Sequence, residues 1–423
     1  MTSRERVELA LNHREPDRVP HDLGGTNCSG MHVTTVYRLR QALGLDPPGT
    51  PVKVFDPYAM TGVIGLDLRE ALGVDTVTVP PIRSRFGFPN DDWKPWTFFD
   101  GTPLLVPGLF NTEPEPNGDI LQYPQGDRSV PASARMPKDG FYFDAIMRQG
   151  PIEDAELNVA DNLEEFKPIS DANLSYFARE IERLYQETDK ALVGGVGGTG
   201  FGDISHVPAL GLKNPKGIRD VEDWYASLIS RQEYIAKVFE GQCNVGLANI
   251  QRFYEAVGNR VSVYNVTGAD FGQQEGPFLS PRLYRQLFKP VHKRLNDWIH
   301  QNTCWKTYIH SCGSVRALLN DFIEAGFDIL NPVQCSAAGM DPRELKRDFG
   351  DHLVFWGGGA DTQRTLPFGT PDEVRREVRE RIKAFAPGGG YVFNPIHNVQ
   401  AGTPVENLLA MYETLQKEGR YPL

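Results

Sequence analysis

The chain has 423 residues, 40% hydrophobic and 23% charged, enough apolar material for a sizeable core and too much for wholesale disorder. Its 44 Lys and Arg against 55 Asp and Glu give a net charge of -11, the wrong sign for a nucleic-acid or anionic-membrane surface. The charged opening residues hold no secretory apolar core, and no stretch approaches the ~18 apolar residues of a membrane span. A cytoplasmic protein acting on small molecules is therefore expected. Cys28, Cys243, Cys304, Cys312 and Cys335 are too few and too scattered for a disulfide scaffold, and read as free thiols or ligands.

Near the start, Val19 to Leu23 and Val52 to Asp56 read as strands, each followed by a helix, Val33 to Leu43 and Gly62 to Leu72. From about residue 80 to 165 the rhythm breaks into a stretch rich in Pro, Gly, Trp and Phe, with short alternating runs at Asp119 to Tyr123 and Gly140 to Ala145. This reads as an inserted antiparallel excursion without a core of its own. Its aromatics (Phe86, Phe88, Trp93, Trp96, Phe98, Phe99) exceed what a solvated loop carries, so it should cover a mouth or contact a second copy of the chain in a homodimer.

Beyond it, short apolar runs alternate with segments of helical period. The expected strands are Ala191 to Val196, Val261 to Val266, Trp305 to His310, Phe327 to Asn331, Leu353 to Trp356 and Gly390 to Asn394. Ser280-Pro281 reads as a helix cap, with a kink expected at Pro290. Thr370-Pro371-Asp372-Glu373 and Thr403-Pro404-Val405-Glu406 both fit the capping box. Strand then helix, repeated, implies parallel strands with crossovers, and eight candidate strands favour an α/β fold of the (β/α)8 TIM-barrel type. We expect one domain over residues 1–423, with the insertion at about 80–165.

In such a barrel the chemistry lies at the C-terminal strand ends. The sharpest end is Tyr308-Ile309-His310-Ser311-Cys312-Gly313. Residues i and i+2 face the same way, so the imidazole of His310 and the thiolate of Cys312 can share one ion. His397, after the last expected strand, is the first candidate for a third ligand, and Cys335 the second. Cys243, on an amphipathic helix, and Cys304, before a strand, read as structural. Cys28 lies in the loop Gly24 to Gly30, as a ligating thiol or an ordinary loop cysteine. Two nitrogens and one sulfur with a fourth position open describe a catalytic zinc site. Asp270, Asn331 or Glu406 would accept hydrogen bonds from the imidazoles. Asp270 and Gln273 or Gln274, past a buried strand, are expected at the mouth as catalytic groups, with Asn331, Gln334, Asp361 and His206 as substrate contacts. The glycine runs at Gly194 to Gly200 and Gly357 to Gly359 match neither a P-loop nor a dinucleotide fingerprint.

The opening Ser3-Arg4-Glu5-Arg6-Val7, the run Asn12-His13-Arg14-Glu15-Pro16-Asp17-Arg18-Val19-Pro20, then His310-Ser311-Cys312-Gly313, Asn331-Pro332-Val333-Gln334 and Thr403-Pro404-Val405-Glu406-Asn407 together resemble the uroporphyrinogen decarboxylase-like superfamily. Within it the chain is more similar to the corrinoid-dependent methyltransferases than to the decarboxylases. The resemblance implies a (β/α)8 barrel with zinc held by His-x-Cys and a distant Cys. His310 and Cys312 match the pair, and the distant position holds His397. It also implies a methyl group exchanged with the cobalt of a corrinoid, here on a separate protein, because no corrinoid-binding motif is present. The decarboxylases' Arg-Gln-Ala-Gly-Arg clamp is replaced by Gly24-Gly25-Thr26-Asn27-Cys28, which removes the charge partners of a polycarboxylated porphyrinogen. Asp56 falls at the place of their catalytic aspartate.

The expected activity is therefore a zinc-dependent methyltransferase acting between a small methylated substrate and a corrinoid protein. One thiolate and two imidazoles would leave zinc with a formal charge of +1, a stronger Lewis acid than a two-thiolate site, which favours the oxygen of a methoxylated compound and so O-demethylation. The alternatives are a decarboxylase or C–C lyase using Asp56 and His397 as acid–base groups, or a silent barrel that only binds a tetrapyrrole or a partner.

Overall fold

The computed structural model describes residues 1–423. Seven parallel strands form one curled sheet in the spatial order Tyr391–Val392, Val354–Trp356, Ile329–Asn331, Lys306–His310, Val263–Thr267, Ala191–Gly194 and Thr76–Thr78. Residues 20–22 join its two edges. His21 pairs in parallel with Phe393, the Asp22 amide donates to the Phe393 carbonyl (2.9 Å), and the Asp75 amide donates to the His21 carbonyl (2.7 Å). This short extended segment, the first stave in chain order, brings the number to eight, and the expected TIM-type barrel is closed.

Side chains alternate along each strand, so one set fills the lumen. Ala191, Val193, Val263, Tyr308, Ile329, Val354, Trp356 and Val392 form that inner core with Val7, Ala10 and Leu11. The last three lie on the helix Ser3–Leu11, which a Thr2–Glu5 capping box starts and whose Ala10 carbonyl accepts from Gly390, so the helix plugs the N-terminal end of the barrel. Any cleft must then open at the opposite end, where the strands finish. A larger core of 83 buried residues packs the outer helices on the sheet and continues into the excursion.

Val52–Asp56 is not a barrel strand, contrary to expectation. It pairs with Thr61–Gly62 and Pro103–Val106 in a separate four-stranded sheet completed by Lys94–Thr97. Lys53 is exposed between the buried Val52 and Val54, the pattern of a sheet with one open face, whereas the inner strands are buried on both. The second barrel strand is Thr76–Thr78. The excursion adds a small antiparallel sheet of Ile120–Gln122, Ala134–Met136 and Asp144–Ala145. Phe86, Phe88 and Phe98 are buried, Phe86 stacking on Phe88 at 5.7 Å, while Phe99 is exposed. Tyr142 fastens the excursion beside the barrel mouth, its hydroxyl donating to Gln400 Oε1 (2.7 Å) and accepting from the Ala401 amide (3.1 Å).

Ser280 caps the helix Pro281–Leu287, and Pro290 sits in the first turn of the next helix, Lys289–Asn302, where the chain bends as expected. The capping box at Thr370 and Glu373 forms. The one at Thr403 does not. Its hydroxyl donates instead to the Gln400 carbonyl (2.9 Å), holding the loop at the mouth, and the helix Val405–Glu418 starts uncapped after Pro404.

Candidate metal centre

His310 ends the fifth barrel strand and points into the lumen, and Cys312 follows on the turn. Cys312 Sγ lies 3.3 Å from His310 Nε2. On the far side of the ring, Nδ1 donates to Asn331 Oδ1 (2.5 Å), which leaves Nε2 as the free donor atom. Asp270, just past the fourth strand, accepts from the Cys312 amide (2.7 Å), and its carboxylate is 3.8 Å from His310 Nε2. The two turns that carry Asp270 and Cys312 touch backbone to backbone. Gly313 has φ +81°, and a Cβ there would sit 2.4 Å from the Gly272 carbonyl carbon, so this approach requires glycine.

From across the lumen come His397 and Cys28. The rings of His310 and His397 are 5.3 Å apart at 70°. Ligand atoms of Cys28, His310 and His397 all lie within 4.8 Å of one another, as do those of Asp270, His310 and Cys312. His310 is common to both sets. The structure thus brings together the three expected ligands, His310, Cys312 and His397, and adds the thiol of Cys28, which the sequence left open. Cys335 stays apart. Its Sγ donates to the Val333 carbonyl (3.3 Å) beside Gly358, and burial pushes its thiol up to about 12. Cys243 is buried on the helix Gln232–Val257 and Cys304 is exposed, away from these donors.

The four groups set one another's charge. Burial opposes ionisation of Cys28, but the His310 charge and hydrogen bonds to His310 and His397 outweigh it and bring the thiol to about 6. Cys312 is lowered against the same burial penalty by His310 and then His397. In return, and again against burial, His310 is raised well above the usual imidazole value, and His397 to about 10. A thiol lowered in this way supplies the thiolate that metal binding needs. In a tetrahedral zinc site a sulfur–nitrogen edge is roughly 3.5 Å, and the Cys312–His310 separation already matches it. The donor set fits zinc.

Cys312 and His397 face a cleft of about 840 Å³ lined also by Gln273, Gln274, Gln334 and Gln400 and rimmed by Phe278 and Phe368. Phe368 is 85% exposed. Gln334 braces the wall, its amide oxygen accepting from Gly313 (2.8 Å) and its nitrogen donating to Gln274 Oε1 (3.3 Å). Other expected contacts are placed differently. Asn331 is fully buried beneath His310, its amide nitrogen spent on the Trp356 carbonyl (2.7 Å), so it takes the expected role of imidazole acceptor but does not face the cleft. Asp361 is turned back to cap its own loop, accepting from the Gln363 and Arg364 amides. His206 pairs loosely with Asp203 (3.7 Å) near Arg85 and Asp56, outside the lining of this cleft. Asp56 belongs to the excursion's sheet, where it accepts from the Tyr58 amide and faces Arg85 at 3.5 Å. Glu406 is exposed on the last helix and reaches neither imidazole.

Comparison with known proteins agrees with this architecture. Residues 140–418 match the family "Uroporphyrinogen decarboxylase (URO-D)". A uroporphyrinogen decarboxylase of Trichodesmium erythraeum is 23% identical over 299 residues, 67% of this chain and 74% of the relative. One from Thioalkalivibrio sulfidiphilus is 26% identical over 99 residues, covering 22% and 27% of the two chains. Among solved structures, a methyltransferase from Methanosarcina mazei shares the fold over 99% of both chains, with a TM-score of 0.56 and 16% identity. With about two thirds of its length matched, the chain belongs to the uroporphyrinogen decarboxylase family.

Proposed function

We propose that the protein is a zinc-dependent methyltransferase moving a methyl group between a small methylated substrate, a methoxylated compound in the favoured case, and the cobalt of a separate corrinoid protein. The observation that carries this reading is the convergence of His310 Nε2, Cys312 Sγ and the His397 imidazole at the mouth of a closed barrel, beside an open cleft. When bound, zinc supplies Lewis-acid polarisation of the substrate's heteroatom. The chain's own residues do the rest. Asn331 fixes the His310 ring, Asp270 fixes Cys312, and Gln273, Gln274 and Gln334 offer amides to a polar substrate group. The apolar lip at Phe278 and Phe368 suits a partner presenting a large planar cofactor. The glycine loop after the first stave argues against porphyrinogen decarboxylation, since it offers no guanidinium. Arg69 behind it spends its N–H groups on the carbonyls of Leu23, Gly24, Ile64 and Thr76. Asp56, the acid of the decarboxylase alternative, stands on a strand outside the barrel ring and faces the Arg85 guanidinium at 3.5 Å.

The test is to purify the chain without chelator, measure zinc, and follow methylcobalamin formation from cob(I)alamin with a panel of methoxylated aromatics. About one zinc per chain, and methyl transfer lost in His310→Ala, are expected. A metal-free chain that releases carbon dioxide from carboxylated substrates instead would overturn the reading.

A further inference from the structure

We infer that Cys28 is the fourth ligand of this centre, so that the resting metal is held by two thiolates and two imidazoles. The inference rests on the zinc reading above and adds a ligand from the first barrel loop. Cys28 Sγ and the donor nitrogens of His310 and His397 lie within 4.8 Å of one another, while Cys312 stands 3.3 Å from the same His310 nitrogen. Both thiols therefore approach the His310 nitrogen, from opposite sides of the barrel, and Cys28 reaches the His397 nitrogen as well.

The loop that carries Cys28 is built to hold it there. The Gly24 amide donates to the Ser29 carbonyl (2.7 Å), the Thr26 amide to Ser29 Oγ (2.9 Å) and the Cys28 amide to Thr26 Oγ1 (3.2 Å). Asn398, the neighbour of His397, then grips both flanks of the cysteine. Its Oδ1 accepts from the Gly30 amide (2.6 Å) and its Nδ2 donates to the Asn27 carbonyl (3.0 Å). One side chain thus sets the position of Cys28 relative to His397. Outside the imidazoles, the nearest partner of the thiol is Asn27 Oδ1 at 3.8 Å, too weak to justify such bracing.

Two thiolates neutralise a zinc ion, whereas the trio with Cys312 alone would leave a charge of +1. The fourth position is then filled at rest. With Cys28 bound the ion would be neutral, so the preference for oxygen that a single thiolate would confer would require Cys28 to be displaced.

X-ray absorption on the zinc-loaded chain counts the sulfurs. Two are expected in the wild type, one in Cys28→Ser, one in Cys312→Ser, and two in Cys335→Ser. With cobalt(II), the thiolate charge-transfer band should fall by about half in Cys28→Ser. A single sulfur in the wild type, or an unchanged count in Cys28→Ser, overturns the inference. Should that variant fail to fold, alkylation of the wild type decides: zinc should protect Cys28 from iodoacetamide, and equal labelling with and without zinc overturns it too. These readouts do not depend on turnover. Two sulfurs without methylcobalamin formation would leave Cys28 a ligand and remove the proposed reaction, and one sulfur with methylcobalamin formation would do the reverse.

Discussion

Asn331 accepts the Nδ1 proton of His310 across 2.5 Å and hands its own amide hydrogen to the carbonyl of Trp356. This chain of bonds runs over the fifth, sixth and seventh barrel strands, so the rotation of one imidazole is fixed by the sheet itself. Asn331→Ala should fold but bind zinc about 10–100-fold more weakly, the usual cost of removing such a support. Asn331→Asp, which keeps an acceptor, should recover most of it. Chelator competition measures both, and an alanine variant with undiminished affinity would show that the bond is dispensable.

Gly313→Ala should be costly. It puts a side chain at φ +81° and against the backbone of Gly272. Strain and overpacking together predict about 2–4 kcal/mol lost in urea unfolding, along with metal affinity. Gly388, also at positive φ but in open space, is the control, and its alanine variant should lose only about 1 kcal/mol.

The choice between His397 and Cys335 can be settled by metal content. His397→Ala should lose most of its zinc and all methyl transfer. Cys335→Ala should keep both, at a cost of about 1 kcal/mol in stability. The opposite pattern would remove His397 from the site.

Stability should fall as the pH drops below about 6.5. Burial holds His21 and His32 neutral down to about 4, and His292 to about 3. Between those values and the unfolded imidazole value, the unfolded chain takes up protons that the native one refuses, so each histidine contributes stability that is lost on acidification. The slope is up to about 1.4 kcal/mol per pH unit for each. His292→Gln, which leaves Tyr284 a partner for its hydroxyl, should reduce the slope between pH 6 and 5 by close to one proton. Urea titrations at several pH values read this directly, and an unchanged slope would show that His292 is not the neutral buried group it is taken for.

The strands from Ala191 onward were legible because each is a continuous apolar run buried on both faces, a pattern that surface strands lack. Val52–Asp56 misled because its alternation also suits a sheet with one open face. The true second strand, Thr76–Thr78, carries the β-branched signal but is short and follows the charged Asp75, whose carboxylate is paired with Arg6 and Arg18. His310 and Cys312 were readable from spacing two residues apart on one strand. Cys28 was not, because its place depends on Asn398, at the other end of the chain. Asn331 fits both readings in sequence, acceptor for an imidazole and substrate contact, because a strand-end amide looks the same whether it faces the ring below or the cleft; the structure has the first and not the second.

Gly30 and Asn398 are 368 positions apart, and they meet beside the seam where residues 20–22 join Phe393. Cys28 and His397 stand on the two lips of that seam. A chain whose last strand has not docked possesses His310 and Cys312 but lacks both the clamp and the remaining nitrogen, so tight metal capture must await ring closure. Were the ion held as proposed, it would staple the first stave to the last, across the joint where the two ends of the chain close the barrel. Zinc would then serve as a closing rivet of the fold as well as a participant in its chemistry, and its removal should loosen the N-terminal loop before any other part of the barrel.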